Sequence, residues 1–178
     1  MLGVFILFLE VIILFAQIAI IIFFIEQLSR GGAPYVPSSR SVALCAVNAL
    51  TLPTNAVFYD LGSGDGRMLR LLSLRSPTAT CIGIERSLVL CLWARFLSRK
   101  FPNISIVHGD IFREPLHKAT HVFTYLFSDV MDQFLPKAEH EFAPNTILLS
   151  LNFKFSQKPY DRKIDIGDKK HALYEYTF

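Results

Sequence analysis

Residues 56–72 constrain the chain more than any other stretch. Ala56-Val57-Phe58-Tyr59 is a short apolar run of the kind that forms a buried strand. Asp60-Leu61-Gly62-Ser63-Gly64-Asp65-Gly66 interrupts it with glycines at three alternate positions, and Arg67-Met68-Leu69-Arg70-Leu71-Leu72 resumes in a helical pattern. Strand, glycine turn and helix in that order bring backbone N–H groups to a helix N-terminus, where the chain can approach a ligand closely. A bare turn needs one glycine, so three point to a ligand. The dinucleotide fingerprint requires a further glycine at position 67, where Arg67 stands, and this argues against nicotinamide or flavin.

The alternation of short apolar runs and amphipathic segments continues to the C-terminus. Thr80–Glu85, Ile104–Val107, His121–Phe127 and Ile147–Phe155 read as strands. Ser87 through Lys100 reads as an amphipathic helix with Leu88, Leu92 and Phe96 inward, and Asp129–Phe142 as a further helix. Lys163–Ile166 and 171–178 are left for a short final hairpin. This order predicts a doubly wound α/β fold with ligands bound outside the carboxyl ends of its parallel strands. Glu85 closes the second strand, 25 residues after Asp60, where a carboxylate can accept hydrogen bonds from both ribose hydroxyls.

The N-terminal end is of a different kind. Residues 2–25 are apolar apart from Glu10 and Gln17. As a helix they span about 36 Å, enough to cross a hydrocarbon core of about 30 Å. Glu10 costs about 2.5–3.5 kcal/mol near the bilayer centre, against about −0.3 to −0.6 for each Leu, Ile, Val or Phe. There are 19 of those, so insertion wins. A positive n-region and a short apolar core, the marks of a signal peptide, are both missing, which predicts an uncleaved single-pass anchor over residues 1–28. No basic residue precedes Arg30, and Arg30 and Arg40 follow the helix, so the C-terminal domain is expected on the cytosolic or mitochondrial matrix side. Residues 29–39 form a linker containing Pro34-Tyr35-Val36-Pro37. Ser38 or Ser39 suits the N-cap of a helix from about Arg40 to Leu50, and the domain occupies 40–178.

The glycine stretch, Asp60 to Arg67, resembles the first motif of class I S-adenosylmethionine-dependent methyltransferases. The resemblance implies a Rossmann-like seven-stranded sheet whose last two strands form an antiparallel edge hairpin. It implies S-adenosyl-L-methionine as cofactor, its methionine part over Gly62, Ser63, Gly64 and Gly66 and fixed by Asp60. It further implies its ribose on Glu85 and its adenine on Asp110 and Ile111. Pro34-Tyr35-Val36-Pro37 ahead of that motif resembles a small group of archaeal and membrane-anchored protein-lysine methyltransferases. There the segment lies across the cofactor and substrate region, and Tyr35 would bind cofactor, although a stiff spacer off the bilayer accounts for it equally.

An Asn/Asp-Pro-Pro-Tyr tetrapeptide marks methyltransferases of DNA and glutamine. Tyr125-Leu126-Phe127-Ser128 stands in its place, against nucleobase and glutamine acceptors. Tyr125, Phe127 and Ser128 are candidates for the acceptor pocket, with core packing the alternative for one or two of them. The expected substrate is a protein lysine in or at the membrane. A lipid or quinone methyltransferase, and a catalytically silent cofactor-binding scaffold, stand as rivals.

Other chemistries find little support. Cys45, Cys81 and Cys91 are isolated and fall in apolar patterns, as buried thiols do. His117 and His121 lack a carboxylate at ligand spacing, so no metal is expected. A formal net charge of +3, rising to +5 when the acidic Glu10 and Glu26 are set aside with the anchor, suits an anionic surface and falls short of a nucleic-acid footprint.

Overall fold

The computed structural model describes residues 1–29, 39–167 and 170–178. Tyr35 and the rest of Pro34–Pro37 lie outside the described residues.

Helix α1 (Leu2–Ser29) contains Gly3–Ile22, the one described segment long and apolar enough to cross a membrane by length and composition. Helix α2 (Arg40–Ala49) is capped by Ser39, whose hydroxyl accepts the Val42 N–H at 3.3 Å. It buries Val42, Ala43, Ala46 and Val47.

The domain then alternates through β1 (Val57–Leu61), α3 (Arg67–Arg75), β2 (Thr80–Glu85), α4 (Leu88–Ser98) and β3 (Ile104–His108). It continues with β4 (His121–Thr124), α5 (Ser128–Glu141), β5 (Ile147–Leu151), β6 (Arg162–Asp165) and β7 (Ala172–Thr177). The seven strands form one sheet in the order β3-β2-β1-β4-β5-β7-β6. The first five are parallel, and β7 and β6 close the edge as the expected antiparallel hairpin. Strand order reverses between β1 and β4, which opens a crevice at their carboxyl ends.

Period-two alternation sends successive strand residues to opposite faces. Phe58, Cys81, Phe123 and Leu149 pack with α2, α3 and α4 on one face. Tyr59, Val122 and Leu148 pack with Met131, Phe134, Leu135 and Ala138 of α5 on the other. Burial on both faces is why these strands read as continuous apolar runs.

Three expectations need correction. Strand β4 stops at Thr124 rather than Phe127, because its partner β1 turns away at Gly62, just beyond the Leu61–Thr124 pair. Strand β5 stops at Leu151 rather than Phe155, because Asn152 enters the left-handed region at φ 66°. Helix α4 is rotated relative to the expected face: Cys91, Ala94 and Ser98 are buried, and Leu88, Leu92 and Phe96 are exposed. A Cβ built on Gly66 would lie 3.4 Å from Ala94 and 3.5 Å from Ser98, so α4 approaches α3 too closely for large side chains.

Candidate active site

The glycine turn is held by its neighbours rather than left open. Gly62, Gly64 and Gly66 have φ of 78°, 54° and 73°, which glycine adopts without strain. The Gly62 and Ser63 N–H groups donate to the Ile84 carbonyl at 2.9 and 3.1 Å, and the Gly66 N–H donates to the Ser63 carbonyl at 2.8 Å. The Gly64 N–H donates to Glu85 Oε2 at 2.8 Å, and the Arg67 N–H to Asp65 Oδ1 at 3.0 Å. The expected row of N–H groups awaiting a ligand is therefore mostly engaged within the protein. A ligand here meets a glycine-rich surface rather than an anion nest, which disfavours a pyrophosphate on other grounds than the missing glycine.

Glu85 organises the turn. Its second oxygen, Oε1, accepts the Ser87 N–H at 2.8 Å, so one buried carboxylate ties the turn to the start of α4. A carboxylate offers about four lone-pair sites, and these two bonds leave capacity for ligand hydroxyls.

Asp60 lies at 3% exposure near the end of β1, two residues before Gly62. Burial, then the neighbouring Glu85 and Asp65 carboxylates, push it up to about 8. Ser63 lies in the turn, its buried hydroxyl without a hydrogen-bond partner among the described residues and directed at Gly83, where a Cβ would come within 2.6 Å of it.

The end of β3 joins this cluster through the Gly109 N–H, which donates to the Glu85 carbonyl at 3.0 Å. That bond puts Asp110 and Ile111 beside the Glu85 strand end. Asp110 Oδ1 accepts the Phe112 N–H at 3.0 Å, and its carbonyl accepts those of Arg113 and Glu114 at 2.8 and 2.9 Å. The carboxylate is half-buried and fixed by its own turn.

Across the crevice, the segment after β4 supplies the other wall. A Cβ on Gly62 would lie 3.4 Å from the Leu126 side chain, so the turn and this segment face each other. Tyr125 and Phe127 both pack on Phe153, with ring centroids 5.8 and 5.0 Å apart. Tyr125 and Phe153 are half-buried and Phe127 is exposed. Ser128 is exposed in the first turn of α5. Phe153 and Leu126 are the residues that sequence reasoning missed. Asn152 was the available signal for Phe153, since Asn after an apolar run marks a turn that ends a strand.

The sequence-predicted Asp60, Glu85, Asp110 and the glycine turn thus converge at neighbouring strand ends. Three carboxylates around a glycine-rich turn suit one ligand with a cationic end, vicinal hydroxyls and a base edge. Among the described residues no group of three or more His, Cys, Asp or Glu could hold a metal ion. A reversed-order seven-stranded sheet with this carboxylate-lined crevice is that of a class I S-adenosylmethionine-dependent methyltransferase.

Comparison with known proteins gives the family. The family model described as the ANTKMT methyltransferase domain matches residues 60–162, more than half of the chain, and the chain belongs to that family. A protein-lysine N-methyltransferase of Saccharolobus islandicus is 26% identical over 155 residues, covering 81% of this chain and 92% of its own. A solved RNA methyltransferase of Salinibacter ruber in complex with S-adenosyl-L-homocysteine is 27% identical at a TM-score of 0.74, covering 80% of this chain and 93% of its own. An S-adenosylmethionine-dependent methyltransferase of Aquifex aeolicus, 15% identical at a TM-score of 0.61, covers 76% of this chain and 88% of its own and shares the fold. The protein is an S-adenosylmethionine-dependent methyltransferase.

Proposed function

We propose that this methyltransferase acts on lysine side chains of proteins in or at a membrane, to which α1 anchors it. The observation that carries the lysine assignment is the Saccharolobus islandicus relative, a protein-lysine N-methyltransferase matched over nearly its whole length. The anchor rests on the length and composition of Gly3–Ile22. With Arg30 and Arg40 after the helix and no basic residue before it, the domain lies on the cytosolic or matrix side.

The site suits that acceptor physically. When bound, the cofactor supplies a sulfonium methyl, and in-line transfer needs mainly positioning. Lysine must first lose a proton, since its ordinary value is about 10.4. The Tyr125–Phe127–Phe153 group offers an apolar wall, and desolvation against it disfavours the ammonium relative to the neutral amine. The proton passes to bulk water before the side chain docks, and the wall then orients the neutral nitrogen, so a dedicated base is not required. Tyr35 remains a proposed cofactor contact, and the described residues do not include it.

The test is partition of label. The purified full chain is incubated with radiolabelled S-adenosylmethionine and membranes of its own source, and protein, lipid and RNA are separated. Label in a discrete protein band, lost in Glu85→Ala, supports the proposal. Label in the organic phase transfers the assignment to a lipid or quinone. Label in RNA would align the chain with its Salinibacter ruber neighbour. Cofactor binding without label in any phase leaves a silent scaffold.

A further inference from the structure

The outward face of α4 remains unexplained by the catalytic site. Leu92, Trp93 and Phe96 are 54%, 51% and 54% exposed, three large apolar side chains adjacent on one helix. Trp93 and Phe96 stack at 5.7 Å, and the Arg99 guanidinium lies 4.3 Å from the Phe96 ring centroid. An apolar helix of this length, Leu88–Ser98, is ordinarily either a core helix or an interfacial one. The core reading fails for this face because the residues that α4 fully buries are small, Cys91, Ala94 and Ser98, and lie away from it.

Two observations say what covers this face. The first is charge: residues 86–100 contain four basic residues and no acidic one. Arg95 anchors to the Ile106 carbonyl at 3.0 and 2.8 Å, Arg99 donates to the Phe96 carbonyl at 2.8 Å, and Lys100 is exposed. A Trp–Phe–Leu surface rimmed by guanidinium and ammonium groups matches the border between acyl chains and anionic headgroups. The second is continuity. Among the described residues, helix α1, whose Gly3–Ile22 segment has the span of a bilayer, comes closer to α4 than to any other element.

We infer that Leu92, Trp93 and Phe96 of α4, with Arg99 and Lys100, dock the catalytic domain onto an anionic lipid bilayer. Helix α1 crosses the membrane, and α4 lies in its interface beside the exit point. The inference rests on the reading of α1 as the anchor. It gives the two-signal arrangement in which a hydrophobic insertion is joined by basic residues. It also limits the substrate, because a domain held at the headgroups meets lysines near the membrane surface before those farther away.

Trp93 is the single tryptophan of the chain, so its fluorescence reports on this face alone. The full chain is reconstituted into vesicles of phosphatidylcholine with phosphatidylserine, floated on a density gradient, and titrated with acrylamide. Parallel vesicles carry bromine on the acyl chains, near the glycerol or near the chain end. The inference expects flotation, a blue-shifted emission, protection from acrylamide, and quenching strongest by the shallow bromines, since interfacial helices bury to about 5–10 Å. Omitting phosphatidylserine, or introducing Leu92→Glu with Phe96→Glu, should reverse the protection while flotation persists.

A floating chain whose Trp93 stays open to acrylamide and unquenched by bromine overturns the docking and keeps the anchor. Protection from acrylamide without bromine quenching means that protein covers the face, another copy or a substrate, and also overturns it. A chain that fails to float overturns the anchor and the docking together. Because the substituted side chains are exposed, the double variant should bind S-adenosylhomocysteine as the parent does.

Discussion

Asp60 gives the sharpest quantitative expectation. In the free protein its carboxyl is pushed up to about 8, by burial first and then by Glu85 and Asp65. At pH 7 it therefore holds its proton most of the time. If Asp60 fixes the ammonium of the cofactor's methionine part, binding requires the ionised form. Between pH 6 and 7 the ionised fraction rises from about one in a hundred to about one in eleven, an increase of about ninefold. The ligand's own α-amino group, with an ordinary value of about 7.7–8.0, stays largely charged over that interval. The affinity for S-adenosylhomocysteine, which keeps the ammonium and does not react, should thus rise close to ninefold from pH 6 to 7. Close to one proton should be released per ligand bound.

Isothermal titration calorimetry in two buffers of different ionisation enthalpy measures both quantities. The same carboxyl affects stability with a definite sign. A folded-state value above the unfolded one of 3.8 means that the folded chain binds more protons between pH 4 and 8. Its contribution is complete below pH 4 and is lost as pH rises to 8, at about 1.4 kcal/mol per pH unit at most. Asp60→Asn should abolish the proton release and flatten both pH dependences. Affinity that does not change from pH 6 to 7, with no proton released, would refute the assignment of Asp60 to a cationic group.

Three further substitutions test the rest of the site. Gly83→Ala places a Cβ 2.6 Å from both Leu69 and Ser63 side-chain atoms beneath the turn, and should lower stability by about 1–3 kcal/mol, read from the denaturant midpoint. Because Ser63 must move, the same variant should bind S-adenosylhomocysteine more weakly. Glu85→Gln turns an NH2 toward one of two backbone donors, and should cost about 1–3 kcal/mol of stability as well as cofactor affinity. Phe153→Ala removes the ring on which Tyr125 and Phe127 both pack, and should raise KM for a protein substrate while leaving the cofactor Kd unchanged.

Much of this architecture is written in local pattern. The run from Val57 to Leu72 carries its strand, turn and helix within one short stretch, and Ser39 caps α2 where a hydroxyl before an apolar-periodic segment should. Asp60, Glu85 and Asp110 were legible because each ends or follows a strand, and strand ends of a doubly wound sheet converge. What was not legible depends on partners distant in sequence. The turn N–H groups are taken by Ile84 and Glu85, which no local periodicity reveals. Strand β4 ends where β1 leaves it. The inward face of α4 is set by the close approach of Gly66, so its large residues turn outward although their spacing reads as a core stripe. Phe153 was hidden inside an apolar run that continues past the end of β5.

The central claim is that the nitrogen receiving the methyl group belongs to lysine. The direct measurement is amino-acid analysis of the protein band labelled by the full chain, with radiolabelled S-adenosylmethionine and its own membranes. The account expects all acid-stable label to co-elute with methylated lysine. Label co-eluting with methylated arginine or histidine would contradict it.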